Sequence, residues 1–105
     1  MARRLLAAAF ASMNLLALEG CAHPHENFKN IMQGTVGRSF EDPSVQPIAP
    51  RETYLGMLTL TNGNIEYAFR GIRTCRYYFE VDPATRKVVG WRFAANPPED
   101  CQINP

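Results

Sequence analysis

Apolar and polar residues are distributed in three distinct ways along this chain. From Leu5 to Leu18 runs an uninterrupted, weakly polar stretch without charge. Further on, Phe28, Ile31 and Met32 fall at i, i+3 and i+4, which puts them on one face of a short helix. Gly34 and Gly37 punctuate that pattern, and Phe40 is placed in a second helical turn. Pro43, Pro47 and Pro50 then exclude helix and central strand, so 42–52 reads as a loop. The second half has a period of two. Tyr54 to Thr61 is rich in β-formers, and Asn62-Gly63-Asn64 is a hairpin turn signal. Ile65 to Arg70 alternates, and Gly71 breaks the run. Cys75, Tyr77, Phe79 and Val81 then share one strand face, Asp82-Pro83-Ala84-Thr85 has turn chemistry, and Val89, Trp91 and Phe93 share a face of the last strand. The tail from Pro97 to Pro105 is irregular.

These elements predict an α+β domain. A short N-terminal helix, or helix pair, packs on a three- to four-stranded antiparallel sheet, and the status of Tyr54–Thr61 decides the strand number. Such a sheet has one wet and one covered face. The helix with Phe28, Ile31 and Met32 is the expected cover. Tyr67, Tyr77, Phe79, Trp91 and Phe93 read as core, because aromatics at period two on one sheet face are usually buried. Glu66, Arg70, Arg76, Tyr78, Glu80 and Arg92 fall on the wet face. Opposite charges there contribute about 0.2–1 kcal/mol per pair. An outward tyrosine among arginines has the composition of a contact patch, which makes these six residues the candidate interaction face.

The N-terminus changes the picture of where the domain works. Arg3 and Arg4, the apolar stretch and then a small residue form the three-part layout of a secretory signal. Leu18-Glu19-Gly20-Cys21 resembles a bacterial lipobox, in which the signal is removed ahead of a cysteine that takes the lipid. Glu19 departs from the small or hydroxylated residue usual at that position. Plain secretion with cleavage after Ala22 and an uncleaved anchor are the rivals. The apolar stretch is shorter than the roughly 20 residues a spanning helix needs. The expected organisation is a signal peptide over 1–20, a lipidated tether over 21–27 and a single domain over 28–105. Ala22 after the cysteine, rather than aspartate, resembles an outer-membrane address, so the expected location is the periplasmic face of that membrane.

Removal of Arg3, Arg4 and Glu19 leaves equal numbers of basic and acidic side chains, so the net charge of +1 belongs only to the full 105-residue chain. A neutral domain without a basic stripe gives no electrostatic footprint for nucleic acid. Three cysteines are present. With Cys21 lipidated, Cys75 and Cys101 remain in an oxidising compartment and are expected to pair. Closing their loop contributes roughly 3.5 kcal/mol in the chain-entropy model. Free thiols or a metal pair are the alternatives, and no CxxC spacing or nearby histidine pair supports metal.

Other candidate chemistry is sparse. His23 and His25 beside Glu26 could offer metal ligands, but two ligands on a tether are a weak set. Glu66 and Glu80 could form a carboxylate pair for acid–base work, yet both fall on the wet face near arginines. No nucleophile arrangement or phosphate-binding glycine loop stands out. The expectation is a non-enzyme with no cofactor, no metal and no small-molecule substrate.

Ile65-Glu66-Tyr67, then Cys75-Arg76-Tyr77-Tyr78-Phe79-Glu80-Val81-Asp82, then Thr85-Arg86-Lys87-Val88-Val89-Gly90-Trp91-Arg92 resemble the last three strands of the SmpA/OmlA (BamE-like) lipoproteins. With the lipobox, the resemblance implies two short helices on a three-stranded sheet. It also implies an accessory part in the machinery that folds β-barrels into the outer membrane. Gly34-Thr35-Val36-Gly37 is a worn version of the family's helix start, and the Pro-rich loop with Tyr54–Thr61 looks like an insertion. No binding residue of the family is therefore carried across. The leading expectation is a lipid-anchored interaction or structural module with a protein partner in the envelope. The second is an inhibitor of a lysozyme- or β-lactamase-type hydrolase, with 42–52 as the inserting element. A small lipoprotein of a secretion or conjugation apparatus is a third.

Overall fold

A computed structural model of the chain describes residues 23–45 and 53–103. Helix α1 spans Pro24–Thr35. Strands β1 (Tyr54–Thr59), β2 (Ile65–Arg70), β3 (Arg76–Val81) and β4 (Val88–Ala94) follow, with a 3-10 turn at Pro98–Asp100. The four strands form one antiparallel sheet in the order β1-β2-β3-β4. One helix on a four-stranded sheet is the α+β fold the sequence predicts. Tyr54–Thr59 is the fourth strand, and a single described helix stands where one or two were expected.

Proline at the first helical position and Glu26 in the first turn suit the start of α1. The described part of the predicted tether is thus already helical from Pro24. Phe28 and Met32 are buried, and so is Thr35, whose hydroxyl donates to Met32 O at 2.6 Å. Ile31 is 39% exposed, which corrects the predicted covering face. The helix rolls so that the 28/32/35 stripe meets the sheet and Ile31 sits at its margin.

Register sorts the strands into rows. On the inner face run Thr59–Ile65–Val81–Val88, then Met57–Tyr67–Phe79–Trp91, then Tyr54–Phe69–Tyr77–Phe93. Two aromatic rings plug this face from opposite sides. Phe28 of α1 meets Tyr77, Trp91 and Phe93 edge-on at 5.8, 6.3 and 5.9 Å. Phe40 stacks on Tyr67 at 4.4 Å and meets Phe79 at 5.8 Å. Phe40 is not in a second helical turn. Its N–H donates to Arg86 O, beside a bridge between Ser39 and Lys87. The cover is therefore shared between α1 and the segment from Phe40 to Val45, and Val45 is fully buried. The remainder of the Pro-rich loop, 46–52, lies outside the described residues.

The last strand needs a second correction. Glu80 pairs with Gly90 but Val81 pairs with Val88, so Val89 is an extra residue. This bulge inverts the alternation ahead of it. Val88 is buried and Val89 is 46% exposed, whereas Trp91 and Phe93 keep their predicted inner positions against the core.

Cys75 and Cys101 form the predicted disulfide, 26 positions apart, and both are buried. It fastens the tail to the start of β3. Asp100 adds polar anchors there: it accepts from Thr74 N at 3.0 Å and from the Thr74 hydroxyl at 2.7 Å. His25 Nδ1 lies 2.7 Å from Cys101 O, and Ile103 N donates to Pro24 O at 3.0 Å. The tail thereby holds the start of α1.

Candidate functional site

The face away from the helix has three rows of its own: Leu58–Glu66–Glu80–Gly90, Gly56–Ala68–Tyr78–Arg92, and Arg70–Arg76–Ala94. All six residues of the candidate face lie in these rows, brought together by the β2–β3–β4 register. At its centre Arg92 reaches across β3. Its guanidinium lies 3.7 Å from the Tyr78 ring centroid, a cation–π stack. Beyond the ring it grips Glu66 with two parallel bonds, Nε and Nη2 donating at 2.9 and 2.8 Å. This fork geometry fixes both side chains. The guanidinium holds the Glu66 carboxyl below the usual carboxylate range, and the carboxylate pushes Arg92 up.

Glu66 and Glu80 are direct cross-strand partners, an arrangement that like charges disfavour. Separate partners relieve it. Glu80 turns to the β1–β2 turn, where the Asn62 and Asn64 amides donate to it at 3.2 and 2.7 Å. With each carboxylate engaged elsewhere, the two do not form an acid–base pair.

Arg70 and Arg76 are also direct partners. Both are exposed, and neither side chain forms an ion pair or hydrogen bond with another described residue. The candidate face thus divides into a fixed centre, Glu66–Tyr78–Arg92, and a margin carrying two positive charges without a partner among the described residues. An anion or carboxylate-bearing surface approaching that margin would gain two guanidinium partners without displacing an internal one.

A second polar cluster was not signalled by the sequence. Arg86, in the turn before β4, donates through Nη1 to the Tyr67 hydroxyl at 2.6 Å and through Nε to Glu41 at 3.0 Å; Nη2 also pairs with Glu41. Its guanidinium lies 5.6 and 5.4 Å from the Phe40 and Tyr67 rings. Both partners push the Arg86 pKa up, Tyr67 most. Arg86 has φ +59°. Only the fold brings Glu41 and Arg86 together, so no local pattern could have found the cluster. It locks the Phe40 plug.

The other sequence candidates have structural surroundings. His25 is engaged by Cys101 O and by the Phe93 ring at 5.4 Å. Glu26 pairs with Lys29 at 2.9 Å, which lowers its pKa. His23, His25, Glu26, Glu99 and Gln102 line an open cleft of about 350 Å³ beside the start of α1. Among the described residues no group of three or more His, Cys, Asp or Glu side chains is arranged to hold a metal ion, and no helix is long and apolar enough to cross a membrane. Cys21 lies outside the described residues.

These features define a class by architecture: a disulfide-closed, four-stranded antiparallel meander capped by one helix, with an open polar face. No family model, curated protein or solved structure matches the chain.

Proposed function

We propose that this chain is a lipid-anchored, non-enzymatic interaction module on the periplasmic face of a bacterial outer membrane, and that the open sheet face binds an envelope protein. The observation that carries the reading is the contrast within that face. Glu66, Tyr78 and Arg92 are held in place by one another, while Arg70 and Arg76 present charge without a partner among the described residues. A preorganised centre lowers the entropy lost on docking. Unpaired arginines at its margin steer a partner with acidic side chains. The signal-like N-terminus and the lipobox resemblance supply the anchor, and the disulfide suits an oxidising compartment. The SmpA/OmlA-like strands support an accessory place in β-barrel assembly as the more specific form of the proposal.

A crosslinked pull-down of the membrane-extracted protein, identified by mass spectrometry, tests it. Enrichment of envelope proteins that is lost in Arg76→Glu, while folding is kept, is the expected result. Enrichment of barrel-assembly components supports the specific form. Recovery of a lysozyme- or β-lactamase-type hydrolase, or capture unchanged in both Arg76→Glu and Tyr78→Ala, overturns the reading.

A further inference from the structure

Asn62 is the one asparagine of this chain that is followed by glycine; leucine, phenylalanine, isoleucine or proline follows each of the others. The difference is chemical. A side chain on the following residue hinders the approach of its backbone nitrogen to the asparagine side-chain carbonyl, and proline has no N–H to lose. Glycine presents neither obstacle. Asn62 and Gly63 are both exposed at the tip of the β1–β2 turn. Gly63 has φ +89°, and nothing stands within 4 Å of where its Cβ would be. The pair is open to water and sterically unhindered.

Hydrogen bonds hold both reacting groups in place. Gly63 N donates to Leu60 O at 3.0 Å, which occupies the nitrogen. Asn62 Oδ1 accepts from Asn64 N at 2.9 Å, and Asn62 Nδ2 donates to Glu80 Oε2 at 3.2 Å, which fixes the side-chain amide. Asn64 Nδ2 donates to the same Glu80 oxygen at 2.7 Å. Glu80 thus ties both asparagines of the turn to β3.

We propose that Asn62 is a site of spontaneous deamidation, held in check by Glu80 and released when the turn opens. Gly63 N, its proton lost to hydroxide, attacks Cγ of Asn62. The Cγ–Nδ2 bond breaks, ammonia leaves and a cyclic succinimide closes. Water then adds at either ring carbonyl and gives aspartate or isoaspartate. Only water is consumed and only ammonia released, and nothing is oxidised or reduced. The product does not refit. A donor to Glu80 has become a carboxylate, and Glu80 already stands opposite Glu66 in the β2–β3 register. Like charges so placed repel. Isoaspartate also adds a methylene to the main chain, inside the turn that joins Leu60 N to Asn64 O. Opening of the turn is reversible and the chemistry is not, so this end of the hairpin loosens for good as the protein ages. The inference is independent of the envelope reading.

The test is peptide mass mapping of the purified protein after incubation at mildly alkaline pH, where the attacking nitrogen loses its proton more readily. Conversion of amide to acid is expected at Asn62 alone, as a mixture of aspartate and isoaspartate. It is expected to run faster in urea than in buffer, because unfolding frees the turn. Glu80→Ala and Glu80→Thr both withdraw the acceptor, and threonine suits a strand. Each is expected to speed conversion in buffer several-fold, with circular dichroism to show that it is folded. An Asn62 that stays intact in buffer while the urea sample converts overturns the proposal. So does a folded Glu80 variant that converts no faster than the parent. Asn62→Asp stands in for the product: hydrogen exchange at Leu60 and Gly63 is expected to rise at neutral pH, and to fall back when Glu80→Gln is added. Exchange unchanged by Asn62→Asp overturns the one-way release.

Discussion

The β3–β4 half of the sheet and the β1 half belong to one meander, yet they are stabilised by different means. Under β3 and β4 lie α1, the disulfide and the tail, and Phe79, Val81 and Val88 are excluded from water. Among the described residues β1 has its hydrogen bonds to β2 and little else, and Met57, in the same inner row as Phe79, is 65% exposed. The difference teaches that strand pairing alone does not bury a strand. Burial depends on which strands of a row the cover reaches, and the described ring contacts of Phe28 and Phe40 fall on β2 to β4.

The sharpest break of this comparison is within one row. Phe79→Ala should cost about 3–5 kcal/mol, whereas Met57→Ala should stay within about 0.5 kcal/mol; urea melts of the two variants read both. A similar loss for both would show that β1 is covered after all. Replacing Cys75 and Cys101 together by serine should cost roughly 3.5 kcal/mol, seen as a lower melting temperature that reducing agent does not lower further. Hydrogen exchange should then rise first in α1 and the tail rather than in β1.

Alkali probes the covered half through one titration. Burial pushes the Tyr77 hydroxyl up to about 12, with a hydrogen bond to Thr53 pulling slightly the other way. The folded state therefore keeps its proton when the unfolded chain loses it near pH 10. Stability is full below that value and falls as pH rises from about 10 to about 12, by at most roughly 3 kcal/mol. Tyr77→Phe should flatten this limb of the melting-temperature profile.

A small effect is expected on the open face. Glu66→Gln or Arg92→Ala should each cost under about 1 kcal/mol at neutral pH, since the pair is largely solvent-exposed on the arginine side. The Glu66 pKa is lowered in the folded state, so its contribution is present above the ordinary glutamate value and is lost as pH falls through the lowered one. The acid limb of Glu66→Gln should be shallower than that of the parent. Loss of stability at this site comparable to Phe79→Ala would mean that the face is part of the core.

Much of the architecture was legible because the strands from Ile65 to Val81 alternate cleanly, with turn residues at Asn62–Asn64 and Asp82–Thr85. The wet-face residues followed from the same parity. Parity failed where the backbone itself breaks step: the bulge at Val89 inverts one position, and Gly90 beside it hints at a break without saying which residue is extra. Ile31 was misplaced because three apolar residues at helical spacing define a stripe only to within a side chain. Phe40 has no local signal for its bridge position, because its partners, Tyr67 and Arg86, are distant in sequence. Ion pairing on the wet face was legible from parity, but the particular Glu66–Arg92 fork was not, since it spans two strand registers rather than one.

The knot of contacts around the tail has a topological consequence. Ile103 N is bonded to Pro24 O, and Cys101 is joined to Cys75 while its carbonyl meets His25. The two ends of the described domain therefore stand side by side, and Pro24 and Ile103 nearly close a ring. A ring can be opened elsewhere. A short linker from the tail to α1, with new termini cut at the Asn62–Gly63 turn, would keep the disulfide and the β2–β3–β4 register. It would also turn the β1–β2 hairpin into two free strand ends, and leave the pole beside α1 without a loose terminus.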